Sequence, residues 1–165
     1  MAKKTRLKRL LLRSVLLVLL AIVLLYNPLT LRLLTLGIAI YHDLEPGRFY
    51  RLVKAESSFR SLAVSSRQAI GLGQVQEATA FYVKKEHKRG LLFVPWYNLD
   101  ISARYLRYLL NRYNGNWSLA LAAYNWGETK VDKRLGKRRI VPQVDYSGLF
   151  ADIPETRDYI NKILK

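Results

Sequence analysis

The chain has 165 residues, of which 28 are Lys or Arg and 12 are Asp or Glu, so its formal net charge is +16. This length accommodates one domain with an appendage, and the 50% hydrophobic content excludes a largely disordered chain. The absence of cysteine excludes disulfide scaffolds, thiol catalysis and iron–sulfur sites. Since only His42 and His87 occur, neither a metal site nor a cofactor is predicted.

The N-terminal part of the chain pairs a basic tail with an apolar run. Residues 1–13 hold six Lys or Arg residues and no acid. Residues 14–31 then carry no charge, and at about 1.5 Å per helical residue they span roughly 27 Å, close to the thickness of a bilayer core. We predict a retained single-pass transmembrane anchor, with residues 14–41 forming the anchor and a juxtamembrane segment, and with Asn27-Pro28 kinking its outer end. A cleaved signal peptide is the alternative, although the apolar run is long for one and no clear A-x-A site follows it.

The basic tail also predicts the orientation of the rest of the chain. Positive charge on the N-terminal side of the apolar run favours a cytoplasmic N-terminus and an outward-facing domain from about residue 42. Further basic clusters lie near residues 84–89 and 133–139. They suit an anionic cell-wall polymer or lipid headgroups, or are simply solvated helix faces. Nucleic acid is not expected as a partner, because an outward-facing domain rarely meets it.

Residues 42–165 are predicted to form one mainly α domain. Apolar spacing predicts a helix over residues 48–59, and Asn98 is predicted to cap another helix whose apolar stripe runs to residue 113. Two glycines within residues 65–74 indicate a turn or a small β-hairpin. Further helices are predicted over residues 74–85 and 117–124, and after Asp152.

Glu56 is the exception to the apolar pattern of its predicted helix. Its neighbours on that helix face are Phe49, Leu52, Val53 and Phe59. A carboxylate in such a position costs several kcal/mol unless it is paired or protonated. Two interpretations are open at this point. Glu56 is either a structural group paired with a buried Arg, or an acid that keeps its proton through desolvation and can protonate a leaving group.

Five short blocks follow one another between residues 50 and 164. They are A-E-S-S-F at 55–59 with A-V-S at 63–65, A-I-G-L-G-Q-V at 69–75, N98 with Y105 and L106, R-Y-N-G-N-W-S-L-A-L-A-A-Y-N at 112–125, and P-E-T-R-D-Y-I-N-K-I at 154–163. In this order the blocks resemble the soluble-type (SLT) lytic transglycosylases, which have a lysozyme-like catalytic domain. The resemblance implies a lysozyme-like domain here, preceded by the predicted transmembrane helix.

The resemblance also implies a role for each matching side chain. Glu56 is implied as the single catalytic acid and base, and Ser57 as a residue that supports the helix or the site. The implied substrate-binding residues are Ser65, Gln74, Tyr124, Asn125, Glu155 and Tyr159. Judged without the family, all of these except Glu56 would be interpreted as turn, cap or core residues.

The chain departs from the family pattern at several positions of the implied groove. Gly73 replaces the usual Met of G-L-M-Q, and Gln68 and Ser102 stand where the family often has Gly. Gln76-Glu77 replaces a common Met-Pro. These changes bear on substrate affinity and subsite preference, and they leave the predicted reaction unchanged.

The implied substrate is peptidoglycan, the glycan of the bacterial cell wall. One Glu used twice would cleave the β-1,4 bond between MurNAc and GlcNAc and leave a 1,6-anhydro-MurNAc end without consuming water. The implied location is the bacterial inner membrane, with the catalytic domain in the periplasm. Two alternatives stay open: a hydrolysing lysozyme that uses a second acid, and a catalytically weak wall-binding scaffold of an envelope complex.

Overall fold

Helices dominate the structure, a computed structural model that describes residues 2–165. The side chains of residues 1–5 and 7, which include Lys3 and Lys4 of the predicted basic tail, lie outside the described part. The α-helices are α1 (Ala2–Leu25), α2 (Pro28–Tyr41), α3 (Pro46–Ser57), α4 (Glu77–Val83), α5 (Pro95–Arg112), α6 (Trp117–Trp126), α7 (Glu128–Leu135) and α8 (Pro154–Leu164). Two 3-10 helices cover Arg89–Phe93 and Ser147–Phe150. The predicted mainly α class is therefore confirmed.

The predicted small hairpin does not form. Between α3 and α4 the chain makes turns in which Ile70 bridges antiparallel to Val64 and to Val75, and no strand forms within residues 2–165. Gly71 has a φ of 76° in these turns. The first of the two expectations, a turn, is thus the one that the structure adopts.

The apolar N-terminal run is broken into two helices at Asn27 and Pro28. The Asn27 side chain accepts the backbone N–H of Leu29 at 2.8 Å, and Pro28 occupies the first turn of α2, where no N–H donor is needed. Within the described residues no single helix has the length and apolar character to cross a membrane, but Lys8–Leu25 and Pro28–Tyr41 meet both criteria together, with a bend of 62° between them. The predicted kink is confirmed.

Helix α2 packs on the domain that follows it. It contacts α3 and α5, and its residues Leu31, Thr35 and Ala39 are fully buried there. The packed core therefore extends back to Leu31, into the segment predicted as juxtamembrane. The sequence did not reveal this, because α2 is apolar around most of its circumference and its single charge, Arg32, is too little to mark the direction of the core.

Helix α6 forms the centre of the domain. It packs against α5, α7 and α8, and residues 119–123 are all completely buried. Its first turn is capped by Asn116, whose side-chain oxygen accepts the N–H of Leu119 at 3.0 Å. The Ala-rich sequence of α6 allows its neighbours to approach closely, and residues of α3, α6 and α8 lie around one cavity.

Two predicted helix boundaries are wrong. In addition, the helix predicted over residues 74–85 is shorter at both ends, since α4 covers only Glu77–Val83. Of the two boundaries that bear on the site, the helix that contains Glu56 ends at Ser57, because Ser58 and Phe59 adopt left-handed φ values of 52° and 62°. Phe59 is nevertheless buried, and its ring lies 4.9 Å from that of Tyr50. Asn98 does not cap α5, which begins one turn earlier with Pro95, so its side chain is available for the loop contacts described below. Both errors arise because local spacing does not report where the backbone leaves the helical conformation.

Candidate active site

Glu56 lies in the last turn of α3, where α3 packs against α8. The start of α3 is fixed by Glu45, whose carboxylate accepts the N–H groups of Gly47 and Arg48 at 2.9 and 2.7 Å. At the other end, the Tyr159 hydroxyl of α8 donates to Oε1 of Glu56 at 2.5 Å. Glu56 and Tyr159 are 103 residues apart in the sequence, so the candidate catalytic carboxyl is held between two helices that are distant along the chain.

Two neighbouring cavities open at Glu56. The larger, of about 590 Å³, is lined by the predicted residues Glu56, Ser65, Gln74, Tyr124, Asn125 and Glu155. The smaller, of about 340 Å³, shares Glu56, Asn125 and Glu155 and adds Tyr159 and Asp158. The structure therefore brings together all the predicted groove residues, from four separate parts of the chain, around one carboxyl group.

Burial raises the pKa of the Glu56 carboxyl from its ordinary value of 4.5 to about 7, and the hydrogen bond from Tyr159 opposes this rise. Burial, and then the charge of Glu56, hold the pKa of Tyr159 well above its usual value, so the phenol stays protonated and acts as the donor. Among the described side chains no Lys or Arg lies within ion-pair distance of Glu56. This favours the second interpretation of Glu56, an acid that retains its proton.

Ser57 takes no part in lining either cavity. It is buried, and its hydroxyl donates to the carbonyl of Val53 at 3.3 Å within α3. Asn125, in contrast, lies at the site and joins two helices there, because its side-chain oxygen accepts the hydroxyl of Thr156 at 2.8 Å. Ser57 thus stabilises the helix end that carries Glu56, and Asn125 fixes α6 against α8.

Gln74 reaches the cavity from a tightly folded loop over residues 63–75. Its φ of 48° is left-handed, and its amide nitrogen donates to the carbonyl of Gly71 at 2.9 Å. The Ser65 hydroxyl accepts the N–H of Ala69 at 3.0 Å, and the Tyr124 hydroxyl donates to the carbonyl of Gly73 at 2.8 Å. These side chains shape the loop as well as lining the cavity.

Asn98 holds this loop against α5. Its side chain is almost fully buried, with an exposure of 1%. The amide oxygen accepts the N–H of Gly73 at 2.8 Å, and the amide nitrogen donates to the carbonyls of Ile70 and Leu92 at 2.8 and 2.9 Å. A Cβ on Gly71 would lie 2.4 Å from that nitrogen, so glycine is required there by both its positive φ and its close approach.

The larger cavity is also lined by side chains to which the sequence analysis gave no role, among them Arg67, Trp126, Lys130 and Tyr105, the last of which was matched to a family block only. Trp126 directly follows the A-Y-N block, a position that could have drawn attention to it. Lys130 lies on α7, a helix that was not predicted, and its ammonium group lies 5.5 Å from the centre of the Trp126 ring. This wall of the groove combines an aromatic surface with positive charge.

Three of the departures from the family pattern, at Gln68, Gly73 and Ser102, have distinct local surroundings. Gln68 has a φ of 60°, a conformation that favours glycine, and its side-chain oxygen accepts a hydrogen bond from Arg89 at 3.0 Å. Gly73 and Ser102 are in contact: a Cβ on Gly73 would lie 1.9 Å from Oγ and 2.7 Å from Cβ of Ser102. The small residue at position 73 and the larger one at position 102 are therefore coupled by one shared space.

We expect Gly73→Ala to lower the free energy of unfolding by about 1–3 kcal/mol, because the new methyl group overlaps Ser102 Cβ, which cannot rotate away. Ser102→Gly is the matched partner change, since it removes that Cβ. In a double-mutant cycle measured by urea unfolding, the pair is expected to cost clearly less than the sum of the single changes. Simple additivity would contradict the proposed coupling.

The family model described as the transglycosylase SLT domain matches residues 40–145. The soluble lytic murein transglycosylase of Salmonella typhimurium is 30% identical in an alignment of 130 residues that covers 74% of this chain and 20% of that protein. The protein of the same name from Escherichia coli K12 is 29% identical in an alignment of 121 residues that covers 68% of this chain and 18% of that protein.

Solved structures of lytic transglycosylases are also similar to this chain. The lytic transglycosylase Slt of Pseudomonas aeruginosa, solved as an inactive Glu-to-Gln variant, superposes with a TM-score of 0.70 at 30% identity, over 79% of this chain and 22% of that one. The soluble lytic transglycosylase SLT70 of Escherichia coli superposes with a TM-score of 0.66 at 24% identity, over 77% of this chain and 22% of that one, which shows the shared fold. The chain spans about a fifth of the length of these relatives. The match over residues 40–145 shows that this chain belongs to the transglycosylase SLT domain family.

Proposed function

We propose that the protein is a lytic transglycosylase that cleaves peptidoglycan between MurNAc and GlcNAc. The observation that supports this most strongly is Glu56, a carboxyl group whose pKa is raised to about 7 at the junction of two cavities. Family membership supports the same reaction, and so does a structural relative that is inactive as a Glu-to-Gln variant. A half-protonated carboxyl group at neutral pH suits both donation and recovery of a proton.

In the first step, protonated Glu56 gives its proton to the glycosidic oxygen, and the bond from that oxygen to C1 of MurNAc breaks. Because Oε1 accepts the Tyr159 hydroxyl, Oε2 is the oxygen that carries the transferable proton. In the second step, the Glu56 carboxylate removes the proton of the C6 hydroxyl of MurNAc, and O6 bonds to C1. The ring closes as a 1,6-anhydro sugar, Glu56 regains its proton, and no water is consumed.

Hydrolysis is the alternative, and it needs a second carboxylate to direct water. Glu155 is its candidate, because it lines both cavities together with Glu56. In the proposed reaction Glu155 serves in substrate binding, so Glu155→Gln is expected to weaken binding and to leave the product unchanged. In a hydrolase the same substitution would abolish cleavage.

Mass spectrometry of peptidoglycan sacculi digested by the full chain tests this proposal. We expect muropeptides that carry 1,6-anhydro-MurNAc, lighter by one water than their hydrolysed equivalents. Products with reducing MurNAc ends would establish a lysozyme instead. Binding to sacculi without any cleavage would identify a wall-binding scaffold. A Glu56→Gln sample processed in parallel controls for contaminating hydrolases.

We further propose that the N-terminal helices anchor the protein in the inner membrane, with the catalytic domain in the periplasm. The bent pair of Lys8–Leu25 and Pro28–Tyr41 supports this by its length and composition. The basic residues Arg6, Lys8, Arg9 and Arg13 precede or begin the apolar run, as in segments whose N-terminus stays in the cytoplasm.

A reporter enzyme that folds only outside the cytoplasm, fused after Lys165, is expected to be active. A second fusion at the same position, with a reporter that is active only in the cytoplasm, provides the matched control and is expected to be silent. The reverse pattern would contradict the proposed orientation. Carbonate extraction of the fusion then shows whether the N-terminal helices are retained in the membrane.

A further inference from the structure

Helix α2 has an apolar face that the domain leaves uncovered. Leu31, Thr35 and Ala39 are buried against α3 and α5, whereas Leu29, Leu33 and Ile40 on the other side are 64%, 60% and 66% exposed. Tyr41, the last residue of α2, is also exposed, at 75%. A row of large apolar side chains along a whole helix is unfavourable in water and marks a surface that meets another apolar phase.

The lengths of α1 and α2 indicate that this apolar phase is a lipid bilayer. The charge-free part of α1, residues 14–25, is about 18 Å long, which falls short of the roughly 30 Å of a bilayer core. Helix α2, about 21 Å long, continues at 62° to α1. If α1 stands along the bilayer normal, α2 adds only about 10 Å of depth. It therefore begins in the hydrocarbon region and leaves the bilayer obliquely, at the interface.

Both ends of α2 are fastened to the domain by hydrogen bonds. At its start the Tyr26 hydroxyl donates to the carbonyl of Phe93 at 3.3 Å. At its end His42 Nε2 lies 2.8 Å from an oxygen of Asp100, and Arg107 Nε donates to the carbonyl of His42 at 2.9 Å. Because α2 is joined rigidly to the domain, its position in a bilayer also sets the orientation of the domain.

A second exposed apolar group lies beside α2. Trp96 is one turn before Asp100 in α5 and therefore on the side of α5 that meets His42 of α2. Its indole is 54% exposed, and Leu91, in the 3-10 helix that receives the Tyr26 hydrogen bond, is 38% exposed. Tryptophan is the residue that prefers the headgroup region of a membrane.

We propose that the lipid-facing surface, formed by Leu29, Leu33, Ile40 and Tyr41 of α2 together with Leu91 and Trp96, lies in the interface of a phospholipid bilayer and holds the catalytic domain against the headgroups in one orientation. This proposal rests on the anchoring proposed above. It goes beyond anchoring, because an anchor alone would leave the domain free to tumble. Glu56 follows the start of α3 by ten residues, about 15 Å along the helix, so the groove would act on glycan close to the membrane.

The chain contains no cysteine, so single cysteines can be introduced for labelling. The full chain is reconstituted in phosphatidylethanolamine–phosphatidylglycerol vesicles, with an environment-sensitive fluorophore at Leu33→Cys or Trp96→Cys. Val18→Cys reports on α1, and Lys137→Cys, exposed after α7, is the aqueous control. Lipids that carry a nitroxide near the headgroup are expected to quench the labels at positions 33 and 96 several-fold more than the label at 137. Lipids that carry a nitroxide deep in the acyl chain are expected to quench position 18 most.

Each other outcome overturns the proposal in a distinct way. Labels at 33 and 96 that resemble the label at 137, while position 18 is deeply buried, would leave the anchor standing and refute the lipid-facing surface. An aqueous label at position 18 would refute the anchor and, with it, the surface. A blue-shifted but unquenched label at position 33 would show that protein, not lipid, covers α2, and would refute the lipid-facing surface.

Native tryptophan fluorescence tests the proposal without labels, so this test does not depend on whether the cysteine variants fold. Lipids brominated near the headgroup are expected to quench the tryptophan emission of the unmodified chain. Trp117 and Trp126 lie within the domain, so Trp96→Phe is expected to remove most of that quenching. Quenching that persists unchanged in Trp96→Phe would contradict the proposal, and circular dichroism of this variant confirms that it is folded.

Discussion

Replacement of Glu56 by Gln is expected to reduce the cleavage rate by at least about 10²–10⁴ while the fold stays intact. The amide has the same size and still accepts the Tyr159 hydroxyl, but it has no proton to deliver to the glycosidic oxygen. Because the reaction begins with protonated Glu56, the rate of the unmodified protein is expected to fall as the pH rises through about 7. Release of soluble muropeptides from sacculi, followed across pH, measures both effects.

The same substitution is expected to stabilise the protein at high pH. The pKa of Glu56 is about 7 in the folded protein, against 4.5 as its ordinary value, so the folded state binds this proton more tightly. The stability that Glu56 contributes is therefore fully present below about pH 4.5 and is lost as the pH rises through about 7. This difference between the two pKa values of Glu56 corresponds to about 3 kcal/mol. Glu56→Gln is thus expected to gain up to that amount at pH 8 and nothing at pH 4, as measured by urea unfolding.

Glu86→Gln is the matched control for both effects, since Glu86 is an exposed acid that lines neither cavity. It is expected to change neither the rate nor the stability by a measurable amount. A folded Glu56→Gln protein that cleaves at the unmodified rate would refute the catalytic assignment. Equal stability of Glu56→Gln and the unmodified protein at pH 8 would refute the raised pKa.

The substitution Asn98→Ala is expected to lower the free energy of unfolding by about 3–4 kcal/mol. It leaves the buried N–H of Gly73 and the carbonyl of Leu92 without the Asn98 side chain as partner, whereas the carbonyl of Ile70 still accepts the N–H of Val75. Each such group costs about 1–3 kcal/mol when unsatisfied. The loop that carries Gln74 then loses its attachment to α5, so cleavage is expected to fall as well.

Asn111→Ala is the matched control, because it makes the same chemical change at an exposed position of α5 and is expected to alter stability by no more than about 0.5 kcal/mol. Asn98→Asp separates the hydrogen bonds. It retains the acceptor for the Gly73 N–H but can no longer donate to the two carbonyls, so it is also expected to destabilise the protein. Urea unfolding that distinguishes neither Asn98 variant from Asn111→Ala would show that the loop does not depend on Asn98.

Much of the fold was predictable because it depends on local periodicity. The helices around Glu56 and over residues 117–124 follow from apolar spacing, as does the helix after Asp152. The same reasoning singled out Glu56, because a carboxylate on an apolar face violates the pattern that its neighbours obey. The family blocks then identified Ser65, Gln74, Tyr124, Asn125, Glu155 and Tyr159, which the structure places around the two cavities.

By itself, then, the sequence determined the helical class, the apolar N-terminal run and the residue most suited to acid catalysis. Only the tertiary structure decided that Asn98 holds the loop that carries Gln74 and that α2 belongs to the core. It also decided that Gly73 and Ser102 occupy one space, and that Tyr159 meets Glu56. The physical reason is that periodicity reports which way a side chain faces within its own helix. Hydrogen bonds, shared volume and desolvation depend on groups that are brought together from positions far apart in the chain.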